Sequence, residues 1–185
     1  TQDDAHIFVT ENQLEEEVLR AVDMIDHFYR TFGFEYRIEL STRPENYMGS
    51  KETWDKAEAA LESALKKKRM PYKINPGDGA FYGPKIDFHL TDSLDRTWQC
   101  ATVQVDFQMP MRFEVSYIGE DNSPHTPVII HRVIYGAIER FLGILVEHYK
   151  GAFPLWLSPV QVRVLPLAER NEAKAESVLY SLLAA

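Results

Sequence analysis

His6 and His131 are the residues most suited to metal chemistry. His6 follows Gln2 and Asp4 at two-residue steps, and His131 follows the apolar run Val128, Ile129, Ile130. Neutral imidazole is a common zinc ligand, although position alone leaves a packed or solvated role open for each. No CxxC or HExxH pattern accompanies them. The single cysteine, Cys100, lies between Gln99 and Ala101 with no evident base or helix N-terminus to activate it, and reads as structural. A G-x-G-x-x-G or Walker loop is absent, so phosphate binding would fall to side chains such as Arg140 and Lys85. Arg140 and Glu139 stand in an otherwise apolar run, where a charge needs a partner or a ligand.

The elements that must position these residues follow from periodicity. Residues 1–9 alternate, placing Gln2, Asp4, His6 and Phe8 on one side and Ala5, Ile7 and Val9 on the other. Thr10-Glu-Asn-Gln13 is a capping box. Leu14, Val18, Ala21, Val22, Ile25, Phe28 and Phe32 then recur at helical spacing up to Gly33, a helix terminator. Phe34, Tyr36, Ile38 and Leu40 alternate as a strand. After a loop, residues 51–70 read as a second helix with Trp54, Ala57, Leu61, Ala64 and Leu65 inward. Its basic end, Lys66 to Arg69, complements the helix dipole.

Strands are expected at 86–90, 97–107, 113–118 and 128–130. The last should run through His131 into a long helix to Tyr149 that is buried on more than one face. Gly136 and Gly143 would lie inside that helix, closely packed. Beyond a Pro- and Trp-containing connection, a strand at 161–165 and a helix at 171–183 suggest the opening of a second, α/β domain. The expected fold class is α+β, an antiparallel sheet flanked by helices. The expected division is residues 1–154 and the truncated start of a further domain at 155–185.

Composition is that of an ordinary soluble globular protein: 185 residues, 45% hydrophobic and 26% charged. No apolar run has membrane-spanning length and nothing resembles a signal peptide. One cysteine excludes an internal disulfide and fits a reducing compartment. A net charge of −8 argues against a whole-surface nucleic-acid binder while leaving room for a local basic groove. The start at TQDD, without methionine, suggests part of a longer protein.

Taken in order, the motifs form a set. TQDDAHIF (1–8) resembles the downstream half of motif 2 of class II aminoacyl-tRNA synthetases, and IHRVIYGAIERF (130–141) resembles motif 3. Between them lie FYGPKID (81–87), WQCATVQVDF (98–107) and YIGEDN (117–122). From residue 1 to about 167 this set is similar to the threonyl-tRNA synthetases. LSPVQV (157–162) resembles the entry to their C-terminal anticodon-binding domain.

The resemblance implies ATP-dependent activation of threonine and its transfer to tRNA, in a cytoplasmic homodimer that pairs through elements mostly outside this chain. It implies a zinc ion held by His6, His131 and a cysteine upstream of this chain; Cys100 matches a non-ligand position. Asp4 and Gln2 would stand near the threonine amine and hydroxyl, Tyr82 and Gln104 would line its pocket, and Lys85 would add a cation there. Gln99 and Thr102 would face the nucleotide. Arg140 would stack on adenine and meet the triphosphate with magnesium, making Arg140 and Gln99 the catalytic pair. The motif 2 arginine and motif 1 would lie upstream, so the stretch alone should be inactive. Ala137 and Ala101 depart from the serine and glycine common in the family, so altered contacts are expected there. Two other readings compete: a non-catalytic synthetase-like module that binds tRNA or a partner, and a prolyl or seryl enzyme. Finally, Gln99 and Gln104 are an odd step apart. Both can line one site only if a bulge or break falls between Cys100 and Val103.

Overall fold

The structure is a computed structural model and describes residues 1–184. It divides into two compact units, Thr1–His148 and a second from Tyr149 on. In chain order the strands are β1 (Ala5–Val9), β2 (Tyr36–Ser41), β3 (Tyr72–Asn75), β4 (Lys85–Thr91), β5 (Thr97–Asp106), β6 (Tyr117–Ile118), β7 (Pro124–His125) and β8 (Val128–Val133). The helices are α1 (Leu14–Phe32), α2 (Lys51–Lys67), α3 (Gln108–Arg112), α4 (Ile138–Tyr149) and α5 (Glu172–Leu183).

Local chemistry explains α1 and α2. The Thr10 backbone N–H donates to Gln13 Oε1 at 3.0 Å ahead of α1. Leu14, Val18, Ala21, Val22, Ile25, Tyr29 and Phe32 form its buried stripe. Gly33, at φ +74°, closes it in the left-handed conformation that glycine adopts without strain. Ser50 Oγ caps α2 by accepting from the Thr53 N–H at 3.2 Å, and Trp54, Ala57, Leu61, Ala64 and Leu65 are buried.

Both helices pack on one face of a six-stranded sheet of order β1-β8-β5-β4-β2-β3. The strand residues of that face are apolar and buried: Ile38, Leu40, Ile86, Phe88, Ala101, Val103, Val105 and Ile130. Four of the five neighbouring pairs are antiparallel, as expected. The β2–β3 pair at the edge is parallel, which the alternation did not indicate. The intervening α2 supplies the crossover that a parallel neighbour requires.

Several expectations need correction. β8 continues to Val133, so His131 lies within a strand, and α4 begins only at Ile138. Residues 134–137 form a turn because its backbone groups are taken by side chains. Asp3 accepts from the N–H groups of Ile134, Tyr135 and Gly136 at 2.8, 3.0 and 3.2 Å, and Tyr29 Oη donates to the Ile134 carbonyl at 2.7 Å. Gly136 therefore sits outside the helix, at φ +73°. Nor is α4 buried all round: Phe141, Ile144 and Leu145 face inward while Leu142 and Val146 are exposed, and Gly143 has open space where a Cβ would stand.

Residues 113–118 do not add a strand to the sheet. Only Tyr117–Ile118 is extended, paired with Pro124–His125 in a separate ribbon, and α3 precedes it. In the second unit α5 forms as expected, but residues 161–165 are not a strand. No helix among the described residues is long and apolar enough to cross a membrane.

The two glycines give opposite expectations. Gly143→Ala should stabilise the chain by about 1 kcal/mol, since it removes a flexible residue from an open helix position. Gly136→Ala should destabilise it by about 1–3 kcal/mol, because φ is positive and the new methyl would meet the Cys100 carbonyl oxygen at 2.9 Å. Urea denaturation midpoints measure both.

Candidate active site

The face of the sheet turned away from α1 and α2 carries the chemistry. The register places His6 opposite His131, His131 opposite Gln104, Gln104 opposite Lys85, Lys85 opposite Ser41, and Ser41 opposite Asn75. Directly opposed residues share a face, so one polar row crosses all six strands. A parallel row holds Thr102, Asp87 and Glu39. Gln99 joins this face because the pairing shifts at Cys100: Ala101 opposes Phe88 while Gln99 opposes His89. Cys100 is the extra residue of a β-bulge, at the near limit of the interval expected.

Asp87 is the hub of this second row. It is 1% exposed and accepts from Ser41 Oγ at 2.8 Å, Gln99 Nε2 at 2.6 Å, Thr102 Oγ1 at 3.0 Å and Lys85 Nζ. Lys85 also reaches Asp78 at 3.2 Å. Gln99 is thereby oriented with its amide oxygen left as an acceptor. Thr102 gives its only proton to Asp87 and accepts from Gln99 Nε2 at 3.2 Å, so it has no donor left to offer a ligand.

Arg140 is held at one corner. Its Nη2 donates to the Gln99 carbonyl at 2.5 Å, and its Cζ lies 5.9 Å from the centre of the Trp98 ring. The guanidinium is otherwise exposed and also borders the Cys100 thiol. Cys100 is buried, and that burial pushes its thiol pKa up although Arg140 opposes the shift.

At the other end of the row the His6 and His131 rings meet edge-on, 4.7 Å between centres. His6 Nε2 is 3.9 Å from Asp4 Oδ2, and Gln2 bridges to Ala137 just before α4. Tyr82 stands 5.7 Å from the His131 ring; burial first, then the Asp106 and Asp4 charges, push its phenol pKa up. Its loop is clamped to β5. Gln104 Nε2 donates to the Gly83 carbonyl at 3.1 Å, and a Cβ on Gly83 would lie 2.0 Å from the Val105 carbonyl oxygen, so only glycine fits. Two adjacent imidazoles, one already bonded through Nε2 to the Asp106 carboxylate at 3.0 Å, fit part of a zinc donor set. No group of three or more His, Cys, Asp or Glu among the described residues is placed to complete it.

The model of the tRNA synthetase class II core domain (G, H, P, S and T) matches residues 1–149. The chain belongs to this class II synthetase core family. Within it, the chain is similar to threonine–tRNA ligases. It is 62% identical over 178 residues to that of Caldanaerobacter subterraneus subsp. tengcongensis, covering 96% of this chain and 28% of the relative. It is 65% identical over 171 residues to that of Acetivibrio thermocellus, covering 92% of this chain and 27% of the relative. The chain thus spans less than a third of the length of these curated relatives. Among solved structures, the RNA binding domain of threonyl-tRNA synthetase from Cryptosporidium parvum superposes with TM-score 0.92 at 47% identity, over 99% of this chain and 46% of that one. A putative threonyl-tRNA synthetase from Aeropyrum pernix gives 0.75 at 32%, over 98% and 43%.

On this class II core the structure gathers His6, His131, Gln104, Tyr82 and Asp4 at one end of this face and Gln99, Thr102 and Lys85 further along it, whereas Gln2 pairs with Ala137 ahead of α4 and Arg140 reaches the Gln99 carbonyl from α4. Sequence reasoning missed Asp3, Asp87, Asp106 and Ser41. Period-two counting could have found Asp87 and Asp106, each two residues from a nominated neighbour, Lys85 and Gln104.

His89, on the same face, has a buried Nε2 with no hydrogen bond; Glu39 Oε2 is 3.5 Å away. Burial depresses its pKa, with Arg37 and Lys85 adding to the effect and Glu39 and Asp87 opposing it. Below the usual value of about 6.5 the unfolded chain then binds more protons than the folded one, so stability falls as pH drops through that value. Urea titrations from pH 8 to pH 5 should show the wild type losing more stability than His89→Gln, with no excess pH dependence above pH 7.

Proposed function

We propose that this chain is the core of a threonine–tRNA ligase, which joins threonine to ATP as threonyl-adenylate and then transfers it to tRNA. The observation that carries this reading is the polar row with His6 and His131 at one end, in a chain 62% identical to such a ligase. Gln104 and Tyr82 would line the threonine pocket, with Asp4 and Gln2 receiving its amine and hydroxyl. Arg140, anchored on the Gln99 carbonyl, would lie against adenine and the magnesium-bound triphosphate, and the Gln99 amide oxygen would accept from the nucleotide. The threonine carboxylate attacks the α-phosphate in line and pyrophosphate leaves. Positioning and fixed positive charge supply most of the rate.

His6 and His131 would hold zinc together with a thiolate. When bound, the metal would supply a site for the threonine amine and hydroxyl, a group that valine lacks. A site built around a hydroxyl rejects its apolar isostere far better than an apolar pocket rejects a hydroxyl. Serine keeps the hydroxyl, so its rejection would need an editing step elsewhere. We further propose that residues from about 155 open an anticodon-binding domain, and that the whole protein is a cytoplasmic homodimer.

ATP–pyrophosphate exchange by the full-length protein tests this. Threonine should support exchange, valine should fail by orders of magnitude, and proline should give none. Arg140→Ala should lower kcat by about 100-fold or more. Exchange with no amino acid would favour a non-catalytic tRNA-binding module.

A further inference from the structure

Asp106 occupies the end of β5 and is fully buried (0% exposed). One carboxylate oxygen, Oδ1, accepts from the backbone N–H groups of Gln108 and Met109 at 2.7 and 2.9 Å, which fixes it against the first turn of α3. The other, Oδ2, lies 3.0 Å from His131 Nε2. An ionised carboxylate only accepts hydrogen bonds, so the imidazole must be the donor at Nε2. In the neutral ring the lone pair is then on Nδ1. The same ring meets His6 edge-on at 4.7 Å and Tyr82 at 5.7 Å, so it forms the wall between these two side chains.

We infer that Asp106 is a positioning residue: it holds His131 as the Nε2–H tautomer and thereby leaves Nδ1 as the nitrogen that binds the metal. This rests on the zinc reading of the preceding subsection and extends it beyond the ligands. A carboxylate behind a ligating histidine fixes ring orientation and makes the ligand more basic, and its loss weakens metal binding. The arrangement is also anchored more firmly than a surface pair. Because Oδ1 is tied to two backbone N–H groups, the Asp106 carboxylate cannot follow the ring if it turns. The alternative role for Asp106 is structural only, as an acceptor for the start of α3.

Asp106→Asn separates the two roles. The amide oxygen can still accept from Gln108 and Met109, so α3 keeps its acceptor. The amide NH2 then faces His131 Nε2 as a donor, which favours the lone pair on Nε2 and the proton on Nδ1, the tautomer unable to ligate through Nδ1. Zinc affinity of the full-length protein, measured by competition with a chromophoric chelator, should weaken on the order of 10- to 100-fold. The thermal midpoint of the metal-free protein should barely move. In a His131→Ala background, Asp106→Asn should have no further effect on zinc, since both changes act through one ligand. Asp106→Ser keeps an oxygen near the helix start but is too short to reach the imidazole. It should also weaken zinc binding, and it answers the question if the asparagine variant fails to fold.

Wild-type zinc affinity in both Asp106 variants, alongside loss in His131→Ala, would overturn the inference and leave the metal reading standing. A wild-type protein that binds no zinc would overturn both.

Discussion

The register of the sheet is the constraint on which everything else depends. Side chains alternate along a strand, so a slip of one residue would turn His131 in among the helices and put Ile130 or Arg132 in its place. What prevents the slip is the other face. Ile7, Ile130 and Val105 oppose one another there, as do Ile38, Phe88 and Ala101, and α1 and α2 cover this face. Exposing those rows would forfeit roughly 25 cal/mol for every Å2 of apolar surface returned to water. The apolar packing thus determines which polar residues line up on the far side.

The bulge at Cys100 interrupts that rule, and the cluster around Asp87 is built on it. It brings Gln99 into phase with Thr102 and Gln104. It also frees backbone groups from the ladder, and these find specific uses. The Gln99 carbonyl receives Arg140, and the Cys100 carbonyl lies so close to Gly136 that a side chain there would collide with it. Asp3 ties the same turn to the segment leading into β1. The bulge, the turn and the start of α4 therefore behave as one joint, which places a guanidinium against the Gln99 carbonyl of β5.

Much of this was legible in the sequence because the signals were local. The capping box at Thr10, the terminator Gly33 and the stripe of α2 are all read within a few residues, and each marks a boundary or a face in the structure; the Ser50 cap closes a stretch that reads only as loop, and in α1 Tyr29 rather than Phe28 completes the buried stripe. The convergence of His6 and His131, and the bulge needed to reconcile Gln99 with Gln104, followed from motif order and parity. The failures have a common cause. Val133 and Ile134 fit the helical pattern as well as the strand, and the choice was made by Asp3 and Tyr29, more than 100 residues away. β3 is too short to show alternation, and its parallel partner is set by the crossover of α2. Gly143 was read as a contact where the structure leaves open space. The buried carboxylates escaped notice because each looks like an ordinary surface acid until its donors are known.

Those carboxylates also decide which cation is free to meet an anionic ligand. Lys85 is 15% exposed and already paired with Asp87, which is 2% exposed at its side chain. Moving the ammonium to a phosphate would take a charged partner from a desolvated carboxylate and leave it the neutral donors of Ser41, Gln99 and Thr102, which is unfavourable. Lys85 is thus better suited to fixing Asp87, and through it Gln99 and Thr102, than to leaving for a ligand. Arg140 has the opposite character: one donor is committed to a carbonyl, and the residue is exposed. On the proposed reading, anionic charge would gather at Arg140 while threonine sits between His131 and Gln104. Gln104 and Thr102 are two residues apart, about 6.6 Å along a strand. On that reading the amino-acid carboxylate and the α-phosphate would be held on the same rigid face, with little motion needed to bring them together.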